Sequence, residues 1–127
     1  EMVDAMNVAV RRMKEAENPA DIVKYDWEFH YLIAKSTGNE LILRTFEILR
    51  DTYLRQFEEN ISVMGADGAA GHARIVSAIE IRDAALAKTA MLEHLDRAAR
   101  LVAMARLNGK SSDVPPQETV PARTEPH

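Results

Sequence analysis

Three histidines and one aspartate carry the chemistry this chain could do. His30, His72 and His94 each fall on an apolar stripe of a different predicted helix, and Asp26 stands four residues before His30. Residues at i and i+4 project from one helical face. An imidazole or a carboxylate is costly to bury without a partner. Four such groups aimed inward therefore need a common reason, and a shared divalent cation is the simplest. Neutral imidazole nitrogens bind zinc, nickel or related ions at about 2.0–2.2 Å, and a carboxylate neutralises charge. Four protein ligands fill a tetrahedron and make a structural site. Around an octahedral ion they leave two positions for water or a chelating ligand, and the spacing does not choose between these. Taken singly, each histidine reads as a hydrogen-bonded core residue and Asp26 as a cap or ion-pair partner. The joint pattern favours the metal.

The elements that must position these groups are helices. Breakers are sparse and β-branched alternation is missing, so the pattern predicts an all-α antiparallel bundle of about five helices. The first covers 1–17, with Met2, Met6, Val10 and Met13 on one stripe and no cap before it. Asn18 is a natural N-cap, Pro19 fits the first helical position, and Asp21 suits the positive dipole end. That second helix runs to Thr37 with Ile22, Asp26, Phe29, His30 and Ile33 facing inward. Gly38 stops it and Asn39 caps a third helix over 40–61, striped by Ile42, Phe46, Leu49, Tyr53 and Phe57. Ser62 to Gly71 holds Gly65, Gly68 and Gly71 without an apolar period and reads as a mobile loop. A short helix over 70–81 presents His72, Ile75, Val76 and Ile79. Asp83 caps a fifth over 84–108, whose stripe is Ala87, Met91, His94, Ala98, Leu101 and Ala105. Residues 109–127 hold four of the five prolines and read as a disordered tail, His127 included, beyond a domain of 1–108.

Composition narrows the function classes. The chain has 127 residues, 46% hydrophobic and 28% charged, as expected of one soluble domain. It has no cysteine, so disulfides, thiolate metal sites and a cysteine nucleophile are excluded. No apolar run approaches the roughly 18–20 residues needed to span a bilayer. The start, Glu1-Met2-Val3-Asp4, does not read as a signal peptide, and a cytoplasmic protein is expected. The net charge is −4 and the basic residues are scattered, so this chain offers no electrostatic footprint for nucleic acid. There is no H-E-x-x-H run, no Ser-His-Asp arrangement, and no Gly-Lys-Ser/Thr in the glycine-rich stretch. Glu93 points about 100° away from His94 around their helix, and Glu28 and Glu47 lie off the inward stripes. The expectation is a non-enzyme, with a metal-dependent enzyme or a plain dimerisation bundle as alternatives. Trp27 reads as packing or interface. Tyr53 either lines a pocket with its hydroxyl inward or is core. Arg50 lies beside the third stripe and reads as a solvated helix arginine or as a partner for a carboxylate ligand, while Arg44 and Arg55 lie opposite.

The motifs also form a series. Asp26-Trp27-Glu28-Phe29-His30 reads D-x-x-F-H, followed by Leu32-Ile33-Ala34-Lys35-Ser36-Thr37-Gly38-Asn39. Gly71-His72 precedes Ile75-Val76 and Ala78-Ile79, and Asp83-Ala84-Ala85 leads to Met91-Leu92-Glu93-His94-Leu95. Over residues 1–107 this series resembles the FCD ligand-binding domain of GntR-family transcription regulators, FadR subfamily. The resemblance implies an antiparallel helical bundle that binds small carboxylates. It also implies a divalent metal held by one Asp and three His, here Asp26, His30, His72 and His94. Arg50 and Tyr53 are then expected effector contacts, and the effector is expected to complete the metal's coordination. Effector binding would alter how a homodimer presents its DNA-binding domains. The resemblance also implies an N-terminal winged helix-turn-helix and a preceding helix of the sensor domain. Neither is matched here, so a fragment or a truncated gene is expected, with DNA contacted only through that absent domain.

Overall fold

The computed structural model describes residues 1–64 and 67–112. Among these residues six helices are present: α1 Met2–Glu15, α2 Pro19–Ser36, α3 Glu40–Ile48, α4 Arg50–Met64, α5 Asp67–Glu80 and α6 Ala84–Ser112. No strand occurs among the described residues. The caps are local chemistry. The Asn18 side chain accepts from the Asp21 backbone N–H at 2.9 Å, and Asn39 accepts from Leu41 and Ile42 at 3.0 and 3.2 Å. Asp83 accepts from Leu86 at 2.9 Å. Gly38 closes α2 at φ +66°, where a Cβ is costly.

Three expectations are corrected. The third predicted helix is two, because the α-helix lapses at Leu49 between α3 and α4. The predicted loop over 62–71 is helical on both sides: α4 continues to Met64 and α5 already starts at Asp67. Residues 65–66 lie outside the described residues. The last helix runs to Ser112, four residues past its expected end, and the remainder of the predicted disordered tail, 113–127, lies outside the described residues.

Five helices close a ring: α1 packs on α2, α2 on α4, α4 on α6, α6 on α5, and α5 back on α1. α2 also touches α5 across it, and α3 lies outside against α2 and α4. Two apolar clusters fill the ring. One joins Met6, Val10, Phe29, Ile75, Val76 and Ala90; the other joins Met13, Val23, Phe57 and Ala69. Asp26 lies three residues from Val23 and three from Phe29, so it sits between the clusters on the inner face of α2. Two of the five residues of the third predicted stripe are open: Ile42 and Leu49 are 44% and 52% exposed, and α3 buries no residue. No described helix is long and apolar enough to cross a membrane.

Candidate metal centre

Asp26, His30, His72 and His94 meet. Each offers one donor atom, and the four atoms lie within 4.8 Å of one another. α2 supplies the first two, α5 supplies His72 and α6 supplies His94. Nε2 of His72 is 3.1 Å from Oδ1 of Asp26 and 3.1 Å from Nε2 of His94. Nε2 of His30 is 3.9 Å from the same carboxylate oxygen. Bonds of about 2.0–2.1 Å to a tetrahedral ion place neighbouring donors roughly 3.3 Å apart. The His72 contacts to Asp26 and His94 lie close to that spacing, and the His30 contact to Asp26 is longer.

Packing fixes the rings. His72 is fully buried, and the Phe29 ring lies on it with centroids 4.1 Å apart and planes 9° from parallel. Its Nδ1 has no hydrogen-bond partner, so Nε2 is the atom that ties the residue to the site. His94 presses its Nδ1 edge against Gly71, where a Cβ would come within 2.5 Å, leaving Nε2 to face the cluster. Asp26 is 2% exposed. Its Oδ2 accepts the hydroxyl of Tyr53, so the two carboxylate oxygens have separate neighbours.

The electrostatics favour neutral imidazoles at His30 and His94 and an ionised carboxylate at Asp26. Burial pushes His30 down to about 3; the Asp26 charge opposes this, and the neighbouring imidazoles assist it. Burial and the nearness of His72 push His94 down to about 4. Burial alone would raise Asp26. The hydrogen bond to His72, attraction to His30 and His72, and the Tyr53 hydroxyl reverse that and hold it below the usual carboxylate range. Tyr53 is pushed up by burial and by Asp26, so its hydroxyl stays a donor. Three imidazole nitrogens and one anionic oxygen facing a common point suit a divalent cation of the zinc or nickel type. This donor set fits the ion that the spacing predicted.

The cluster opens onto a cavity of about 280 Å³ between α4, α5 and α6, lined by Asp26, His30, Tyr53 and His94 at one side. Phe57, Ala98, Leu101 and Val102 supply apolar wall. Arg74, Arg97 and Arg106 also line it, and Asp26 is the carboxylate among the described lining residues. Sequence reading missed these arginines and the amides of Gln56 and Asn60. The signal was present: Gln56 and Asn60 follow Tyr53 by three and seven residues, and Arg97 follows His94 by three. Arg50 lies elsewhere. Its guanidinium sits 5.2 Å over the Trp27 ring and 3.5 Å from Asp51, outside the cavity lining. Trp27 in turn stacks on Tyr31 at 4.7 Å, which is packing.

A ring of helices with a cavity beside the donor cluster defines the class: an all-α helical bundle. The FCD domain profile matches residues 1–97, and the chain belongs to that family, the C-terminal domain of GntR-family regulators. No curated protein and no solved structure matches the chain.

Proposed function

We propose that this chain is the effector-sensing domain of a cytoplasmic FadR-type GntR regulator, and not an enzyme. In this reading Asp26, His30, His72 and His94 hold a zinc or nickel ion, and a small carboxylate binds in the adjoining cavity. The observation that carries it is the convergence of four donor atoms from three helices at the wall of that cavity. A bound divalent ion supplies a Lewis-acidic seat for a carboxylate oxygen. The chain's residues do the rest. Arg74 and Arg106 bring positive charge to the lining in a chain of net charge −4, which attracts an anionic ligand. The apolar wall accepts its carbon skeleton. The donors lie on α2, α5 and α6, so occupancy at their junction biases the packing of three helices at once. The regulator works as a homodimer, and DNA is bound by a separate N-terminal winged helix-turn-helix domain.

Elemental analysis of chain purified without a nickel column tests the reading, together with mass spectrometry of any acid that co-purifies. One equivalent of metal and a bound carboxylate are expected. His72→Ala and His94→Ala are expected to lose metal and acid together. Stoichiometric metal retained in either variant counts against the site. Chain that neither carries nor takes up zinc supports a plain bundle, and turnover of a bound acid or ester supports an enzyme. Sedimentation at micromolar concentration checks the dimer.

A further inference from the structure

Asp26 is the one anionic donor of the cluster, and its two oxygens face different ways. Oδ1 faces the imidazoles, 3.1 Å from Nε2 of His72 and 3.9 Å from Nε2 of His30. Oδ2 accepts the Tyr53 hydroxyl, from a helix that supplies no donor atom to the cluster. The Tyr53 ring is held on several sides. It lies 8° from parallel with Phe57 at 6.4 Å, tilts against Phe46 at 5.9 Å, and meets His30 edge-on at 6.3 Å. A carboxylate torsion is broad and roughly two-fold. Packing of Asp26 alone thus leaves its oxygens interchangeable, and the hydroxyl distinguishes them.

We propose that Tyr53 is a positioning residue of the metal centre, whose hydroxyl occupies Oδ2 of Asp26 so that Oδ1 alone is presented to the ion. The inference rests on the metal-binding reading above. Groups that orient a ligand in this way commonly change metal affinity by about 10–100-fold. Tyr53→Phe removes one oxygen and keeps the ring that touches Phe46 and Phe57. Tyr31→Phe is the control, since that hydroxyl bonds exposed Glu47 at 3.2 Å.

The test is competitive titration of the full chain with zinc, and the visible spectrum of the cobalt(II) form. Tyr53→Phe is expected to bind one zinc per chain with a Kd raised about 10–100-fold. Its cobalt spectrum is expected to weaken, as the freed Oδ2 joins the coordination shell. Tyr31→Phe is expected to match the parent in both. An unchanged Kd in Tyr53→Phe overturns the proposal. So does a raised Kd with an unchanged cobalt spectrum, because loosened packing then accounts for it. Failure of the unmodified chain to bind zinc or cobalt is a different result: it removes the metal reading itself, and this inference with it.

Discussion

Gly71 shows how closely the site is built at the scale of single residues. A Cβ there would stand 2.5 Å from Nδ1 of His94, so the ring must move if the residue is enlarged. Alanine is also the better helix former, by about 1 kcal/mol. The two effects separate in Gly71→Ala. The metal-free fold should melt within a few degrees of the parent, whereas zinc Kd should rise at least about tenfold, or 1.4 kcal/mol. Gly68→Ala would meet only the flexible Cε of Met13 at 3.0 Å and should leave zinc binding intact. Calorimetric titration of both variants checks this, and equal affinities would remove His94 from the site. Protons act on the same residues. His30 and His94 titrate near 3 and 4 in the fold, against 6.5 when unfolded. Below about pH 6.5 the unfolded chain takes up protons that the folded chain refuses, so stability falls as pH drops toward 4. Asp26, lowered from 3.8, adds a loss in the same direction below that value. Metal-free protein should therefore melt lower at pH 4.5 than at pH 7.5, and a flat melting temperature would contradict buried neutral imidazoles.

Helix boundaries follow local rules where local atoms set them. Asn18, Asn39 and Asp83 cap as their types predict, because each bond spans two or three residues. Asp83→Ala should lower stability by about 1 kcal/mol, read as a lower denaturation midpoint. The end of α5 was less legible. Arg82 holds φ +59° while Asp83 and Arg82 donate to Ala78 and Ile79, both at 3.0 Å, a Schellman close made without glycine. Arg82→Gly should relieve that backbone and raise stability by about 0.5–1 kcal/mol, and denaturant melts give the sign. The glycine run misled for a tertiary reason. Gly68 and Gly71 sit inside α5, where Met13 and His94 crowd the space a Cβ would fill, so their smallness serves close approach and not flexibility. The third stripe misled differently. Its apolar period was correct, but period alone does not say what covers a face, and Ile42 and Leu49 are 44% and 52% exposed. Asp26 and the three histidines were legible because each stripe pointed its polar residue to the same interior. Of the cavity arginines only Arg97 carried a signal, its spacing of three from His94; for Arg74 and Arg106, a guanidinium at a stripe's edge looks like any solvated one until a neighbouring helix bounds it.

Across the whole molecule, the donors matter because they join helices that the two apolar clusters join only in part. α2 meets α5 across the ring through few side chains, and Asp26, His30 and His72 are among them. A ligand that binds only the folded state stabilises it by about 2.7 kcal/mol at a hundredfold excess over Kd. For a domain of this size, zinc should thus raise the melting temperature by on the order of 10 °C, reversed by a chelator. The histidines of α5 and α6 should then separate. His72 is 0% exposed and stacked on Phe29, so His72→Ala leaves a hole in the core and should melt lower even without metal. His94 is only partly buried, so His94→Ala should melt near the parent in the metal-free state yet lose most of the zinc-dependent rise. A full zinc shift in His94→Ala would mean that α6 is not tied to the centre. The bundle would then have to transmit ligand occupancy through α2 and α5 alone.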